Sequence, residues 1–257
     1  MITKKKPKEI EILREGGRRL AGVLAELSAM VAPGVSTLAL NDKAAEILKE
    51  LGDRSAFLNY QPYGAKRPYP ATLCVSINDA VVHGIPNENP VHLKDGDIVS
   101  LDMGLVHRGM FLDSAVTVPV GTVDAASQKL LNITREALMV GIKACKPGAT
   151  TGDVGYAIQK FVEPYGYGII EELAGHGVGY KVHEDPYMPN YGTPGAGETL
   201  EPGMVLAIEP MLNIGSRHIK LDKDGYTYRT KDGSRSAHFE HTIVITEKGS
   251  EILTRAS

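Results

Sequence analysis

Apolar residues Ile10, Leu13, Leu20, Leu24, Leu27 and Val31 recur at mostly helical intervals until Pro33-Gly34, so the spacing predicts a helix over 7–31. Ser36 or Thr37 can cap a second helix through Leu38, Ala44, Ile47, Leu48 and Leu51, which Gly52 stops. The stretch from Asn59 to Pro70, rich in Tyr, Pro and Gly, reads as a loop. A period of two then takes over. Leu73, Val75 and Ile77 alternate as in a strand, and segments 98–105 and 110–120 form a hairpin turning around His107-Arg108-Gly109. Helical spacing returns over 124–145 and ends at Lys146-Pro147-Gly148, and Thr151 or Asp153 caps a shorter helix through Phe161 and Val162. A Gly-rich region leads to strands near 204–212, 226–230 and 239–246.

The order repeats: a helix pair and then antiparallel strands, twice, with negligible sequence identity between the halves. This implies an α+β fold with two similar halves around one mostly antiparallel sheet. No linker or low-complexity tract divides residues 1–257, which read as a single domain. A chain of this length buries roughly three quarters of its unfolded surface, and nothing requires an oligomer; a monomer is expected.

Charge and composition narrow the function. With 28 basic and 31 acidic residues the net charge is −3, which argues against DNA, RNA or an anionic membrane as the main partner. No stretch approaches the roughly 20 apolar residues of a membrane span. The start, Met1-Ile2-Thr3-Lys4-Lys5-Lys6-Pro7, is basic but is followed by Glu9, Glu11, Arg14 and Glu15, so it is not read as a signal peptide. Two cysteines, Cys74 and Cys145, give neither a disulfide framework nor a cysteine zinc site. A reducing cytoplasm fits. Lys4, Lys5, Lys6 and Lys8 read as solvated residues around the helix start, with transient contact to an anionic surface such as ribosomal RNA as the alternative.

Four carboxylates stand in apolar surroundings. If the hairpin folds about residues 107 and 108, Asp102 and Asp113 face each other directly; if it folds about 108 and 109, they lie diagonally on the same face. Facing like charges need a cationic partner, a shared proton or a metal. Glu209 in Val205-Leu206-Ala207-Ile208-Glu209-Pro210 and Glu240 in Phe239-Glu240-His241-Thr242-Ile243 fall in strands of high β-propensity. An edge strand, or ion pairs to Arg229 or Arg235, would account for them without a metal. His176 lies between glycines in Ala174-Gly175-His176-Gly177-Val178-Gly179, while His183 and His83 read by default as core imidazoles bonded to backbone. As a set, Asp102, Asp113, His176, Glu209 and Glu240 carry the charge to neutralise two divalent ions. Such two-metal sites recur in phosphatases, polymerases, nucleases and aminopeptidases. Oxygen-rich ligation favours manganese, iron(II) or cobalt, with zinc also admissible.

Five blocks in order, His83-Gly84-Ile85-Pro86, Asp102 with Asp113 eleven residues on, Gly175-His176-Gly177-Val178-Gly179 with His183-Glu184-Asp185-Pro186, Ile208-Glu209-Pro210 and Glu240-His241-Thr242, make the whole chain resemble a type I methionine aminopeptidase of short bacterial form. The resemblance implies the pita-bread fold and removal of the N-terminal methionine from peptides and nascent chains. It also implies two divalent ions held by Asp102, Asp113, His176, Glu209 and Glu240, with Asp113 and Glu240 bridging. By the same resemblance His83 and His183 contact substrate, Glu209 also handles protons, and Tyr60, Tyr69, Cys74 and Tyr226 wall the methionine pocket. Asn78 and Ser236 match a monovalent-cation site. The sequence departs from the family pattern at Val182, where Phe is expected, at Tyr226, where Trp is frequent, and at Phe57, where Cys is often found. Its loop between Tyr60 and Cys74 is about six residues longer than in short relatives. A proline-directed peptidase of the same fold would share the ligands, but such enzymes usually carry an additional N-terminal domain. A non-enzymatic binding protein would have lost ligands.

Overall fold

A computed structural model describes residues 2–255. Met1, the first residue of the basic start, and residues 256–257 of the expected domain lie outside the described residues. In the first half, helices α1 (Pro7–Met30) and α2 (Thr37–Leu51) precede strands β1 (Arg54–Ser55), β2 (Cys74–Ile77), β3 (Ala80–Val82), β4 (Ile98–His107) and β5 (Met110–Pro119). In the second, α3 (Ala125–Ala144) and α4 (Thr151–Val162) precede β6 (Gly168–Ile169), β7 (Gly175–Gly177), β8 (Glu184–Met188), β9 (Val205–Ile208) and β10 (Met211–Asn213). The chain continues through β11 (Ile219–Leu221), β12 (Tyr228–Thr230), β13 (Ser236–His238), β14 (Glu240–Thr246) and β15 (Gly249–Ile252).

The helix boundaries follow from capping chemistry. Ser36 Oγ accepts the Ala39 N–H at the start of α2, and Gly52 closes that helix in the left-handed conformation. Asp124 caps α3 through the Ser127 N–H. At α4 the cap is Thr150 rather than Thr151 or Asp153; Asp153 sits three residues on and its carboxylate reaches back to the Thr150 N–H, completing a capping box.

Nine strands form the main sheet, in the order β1-β4-β5-β14-β9-β7-β8, with β2 beside β4 and β15 beside β14. Two further three-stranded sheets, β13-β10-β6 and β11-β12-β3, stand apart from it, where the sequence suggested one sheet. Leu13, Leu20, Leu27 and Leu40 of α1 and α2 pack with Leu101, Met103 and Leu105 of β4 into one core. Leu130, Leu138 and Ile158 of α3 and α4 pack with Leu206, Ile208 and Ile243 into a second. Because side chains alternate along β4, burying its odd-numbered residues against helices turns Asp102 to the opposite face.

The hairpin takes the second of its two registers. Arg108 and Gly109 both have positive φ, 47° and 83°, as a two-residue turn matched to strand twist requires. His107 therefore pairs with Met110 and Gly104 with Asp113, leaving Asp102 and Asp113 diagonal on one face. The strands expected over 204–212 and 239–246 are also shorter than expected. Glu209-Pro210 separates β9 from β10, whose partners belong to different sheets, and Glu240 begins β14 just after the break at Phe239.

Candidate metal centre and active-site cavity

Sheet register assembles the acidic floor. Cys74 pairs with Asp102, Asp102 with Ala115, and Ala115 with Glu240, so these four side chains share one face in one row. In the next row Asp113 is tied to Thr242, whose hydroxyl donates to the Asp113 carbonyl at 2.7 Å and accepts its N–H at 3.0 Å. Thr242 pairs with Ala207, and Ala207 with His176. Small residues at 115 and 207 leave the space above the sheet open for the longer acidic and imidazole groups.

Donor atoms of Asp113, His176 and Glu240 lie within 4.8 Å of one another. Glu209, just beyond β9, brings Oε1 to 3.5 Å from His176 Nε2 and Oε2 to 3.2 Å from His238 Nε2. Asp102, Asp113 and Glu240 are 6%, 4% and 2% exposed, and one oxygen of each is buried without a hydrogen-bond partner. The ion pairs that would have explained these acids without a metal are made elsewhere: Arg229 binds Asp79 and Asp222, and Arg235 binds Asp124. Burial raises the Asp102 carboxyl to about 7. Burial, and then the Asp102 charge, carry Asp113 well above the usual carboxylate range, and burial and then Asp113 do the same to Glu240. Dry, unpaired oxygens beside an imidazole suit a divalent cation.

The same acids floor a cavity of about 340 Å³ that is also lined by Phe57, Tyr60, Tyr69, Cys74, His83, His183 and Tyr226. Every candidate metal, catalytic and pocket residue read from the sequence thus reaches one cavity. Asn78 and Ser236 are not among its lining residues: Asn78 bonds Asp97 and the Ile98 N–H, its carbonyl accepts the Ser236 N–H, and Ser236 Oγ donates to the Leu212 carbonyl.

Local backbone demands explain the histidine motifs. His83 follows β3 with φ of 59°, a conformation costly for most residues and tolerated where the surroundings fix it. A side chain on the next residue would strike the Val75 carbonyl at 2.2 Å, so only glycine fits at position 84. Around His176 the glycines serve neighbouring strands: a Cβ at Gly175 would sit 2.2 Å from the Ala207 carbonyl, and one at Gly177 2.1 Å from that of Asp185. Burial lowers the His83 pKa to about 4; burial and then His176 lower that of His183 to about 3, so both are neutral at pH 7. Tyr60 Oη lies 2.9 Å from His183 Nδ1, and the His176 ring meets His183 edge-on at 4.5 Å.

The long loop leaves and re-enters at a narrow neck. Asn59 N–H donates to the Tyr69 carbonyl and Tyr69 N–H to the Tyr60 carbonyl, so the two tyrosines stay adjacent despite the extra residues between them. Arg67 pairs with Glu88, and Tyr226 donates its hydroxyl to the Arg67 carbonyl. Phe57 and Val182 share one apolar cluster with Tyr69 and Tyr226, and the Phe57 ring meets Tyr69 edge-on at 6.5 Å.

The profile of metallopeptidase family M24 matches residues 11–247. The chain belongs to that family. Its fold is the pita-bread fold. Methionine aminopeptidase 1 of Bacillus subtilis is 45% identical over 99% of this chain and 100% of its own. The crystal structure of a methionine aminopeptidase from Thermotoga maritima superposes with a TM-score of 0.94 at 46% identity, over 99% of this chain and 100% of that one. A prolidase from Pyrococcus furiosus shares the fold at 23% identity and a TM-score of 0.77, and this chain spans 66% of its length. Among the described residues, no helix is long and apolar enough to cross a membrane.

Two features of this metallopeptidase escaped the sequence reading. His238, 1% exposed, lines the cavity beside Glu209. Its position two residues before Glu240, at like pleat phase, was the available signal. Lys5 is not a solvated residue ahead of α1: it is 4% exposed and ion-paired with Glu184 at 2.9 Å.

Proposed function

We propose that this metallopeptidase removes the N-terminal methionine of peptides and nascent chains, using two divalent ions held by Asp102, Asp113, His176, Glu209 and Glu240. The observation that carries this reading is the convergence of all five donor side chains and a Tyr/Phe/Cys wall on one small cavity. Four carboxylates match the charge of two such ions. When bound, divalent cations supply the Lewis acidity that makes water nucleophilic at neutral pH.

The residues of the chain do the rest. Tyr60, Tyr69, Cys74, Phe57 and Tyr226 form an apolar slot suited to an unbranched thioether side chain. The acidic floor draws the free amino terminus. Neutral His83 and His183 each keep one ring N–H and donate it to the substrate carbonyl as negative charge develops there; a Tyr60 hydroxyl donating to Nδ1 would leave the His183 proton on Nε2. Glu209, placed between His176 and His238, takes the proton given up by the attacking water and delivers it to the leaving amine as the C–N bond breaks. The oxygen-rich donors favour manganese, iron(II) or cobalt, with zinc also admissible. A monovalent cation at Asn78 and Ser236 is supported by the family resemblance of that pair and by their direct backbone contact. A monomer in the cytoplasm, with exposed Lys4, Lys6 and Lys8 available for transient ribosome contact, completes the proposal.

Peptide turnover tests it. Met-Ala-Ser should be cleaved at least tenfold faster than Xaa-Pro peptides, with activity lost on chelation and restored by divalent ions. Faster Xaa-Pro cleavage would overturn it.

Stability gives a second check. Carboxyls whose folded pKa is raised hold protons that the unfolded chain has released, so stability falls as pH rises. Up to about pH 7.5 the lowered pKa values of His83, His183 and His241 act in the opposite sense, because the unfolded imidazoles still hold protons there. Above about pH 7.5 the carboxylate effect and the raised His238 dominate, and both weaken the fold as pH rises. Metal-free protein should therefore lose about 1.4 kcal/mol per pH unit for each extra proton held, read as a falling thermal midpoint. Excess Mn²⁺ should abolish the fall, and a flat metal-free profile would contradict the assignment.

A further inference from the structure

The segment ahead of α1 is built into the protein beside the turn that carries His183. Lys5 donates its backbone N–H to the Gly203 carbonyl at 2.7 Å, and its side chain runs inward to Glu184. The two charged side chains are 1% and 6% exposed. The Glu184 carboxylate is crowded with partners: Oε2 accepts Lys5 Nζ at 2.9 Å and Thr3 Oγ1 at 2.6 Å, and Oε1 accepts the N–H groups of Tyr180 and Lys181. The ammonium also donates to Thr3 Oγ1 and stands 5.1 Å from the Tyr180 ring centre. Gly179 makes room for this side chain: with φ of +140°, it would put a Cβ 2.2 Å from Lys5 Cε. The Gly179 carbonyl is itself held by the Phe111 N–H at 2.7 Å, two residues before Asp113.

A buried ion pair gives little net stability over an apolar pair of the same shape, because both charges lose water. What it does supply is geometry. Residues 180 to 184 are wrapped around one carboxylate, and His183 is the residue immediately before it. With Tyr60 on the other side, the ring is held from the loop and from the turn.

We propose that Lys5 is a positioning residue: from the strap ahead of α1 it locks the 179–184 turn through Glu184 and so fixes the ring of His183 over the substrate carbonyl. The proposal rests on the role given to His183 above and extends it to residues outside the cavity. Displacements of about 1 Å made away from the reacting atoms can cost 100-fold in rate.

Kinetics of Lys5→Met on Met-Ala-Ser, with bound metal counted in the same samples, test this. We expect kcat to fall 10- to 100-fold with KM within twofold and metal content unchanged. Trypsin should cut after Lys181 at least tenfold faster than in the wild type. Lys5→Met/Glu184→Gln, which leaves no lone buried charge, should recover thermal stability but not kcat. In a His183→Ala background, Lys5→Met should add less than a twofold loss. Wild-type kcat in either strap variant, or losses that multiply with His183→Ala, would sink the positioning role while leaving the proposed function standing. Wild-type turnover in His183→Ala alone would remove His183 from the chemistry, and with it the route by which Lys5 acts.

Discussion

Glu240→Gln or Asp113→Asn should lower kcat/KM on Met-Ala-Ser by at least about 1,000-fold and strip bound metal, while the chain stays folded. A loss of that size corresponds to about 4 kcal/mol of transition-state stabilisation. Both replacements keep the shape of the side chain and remove one charge. Glu240 holds the row position beside Ala115 and Asp102, and Asp113 lies in the next row, locked to Thr242. Each has an oxygen that is buried without a protein partner, which is where a cation would be served. The same fact predicts the fold's tolerance. An isosteric amide carries no charge to desolvate, so the metal-free variants should melt no lower than the metal-free wild type at pH 8. Circular dichroism, metal analysis and steady-state kinetics on one preparation decide the matter; near wild-type turnover in either variant would end the assignment of these two as bridging ligands.

His83→Ala should reduce kcat by about 100- to 1,000-fold and leave metal content unchanged, the size expected when one preorganised donor to a developing oxyanion is removed. The ring is neutral, lines the cavity and packs 6.0 Å from Tyr228, and it is absent from the donor group around Asp113. The left-handed backbone at position 83 complicates the alanine variant, since a β-carbon there is strained when the side chain offers nothing local in return. Asn tolerates that conformation and keeps an N–H donor. His83→Asn should therefore hold the wild-type melting point and recover part of the lost kcat. Loss of metal in both variants would show that His83 ligates rather than donates.

Much of this was legible in the chain because it depends on periodicity and caps. The two helix pairs, their Pro-Gly stops and a cap at Ser36 or Thr37 follow from local chemistry, while the Asp124 and Thr150 caps come from the structure. The hairpin was legible down to two registers, and the choice between them depended on whether Arg108 would accept positive φ. The two glutamates were harder. Glu209 and Glu240 sit in runs that read as uninterrupted strands, yet the chain breaks beside each: at Glu209-Pro210 it passes from the main sheet to a small one, and at Phe239 it passes back. A period-two pattern does not reveal such a change of sheet, because alternation persists through it. Lys5 was illegible for a different reason. Three consecutive lysines look alike in sequence, and only the glycine at position 179, distant along the chain, makes space for one of them. Histidines in strands are common, so pleat phase alone does not mark His238, whose proximity to Glu209 is a tertiary fact.

The neck at Asn59, Tyr60 and Tyr69 has a consequence for how this enzyme could diverge or be engineered. Two main-chain hydrogen bonds fasten the base of the excursion, so Tyr60 and Tyr69 keep their places in the cavity wall when the tip changes. Loop-closure entropy rises only slowly with length, and Tyr63 at the tip stands fully in solvent. Tyr63-Gly64 is thus a port at which peptide can be added or a reporter inserted, while Pro62, which lines the cavity, and Ala65, which packs beside it, stay in place.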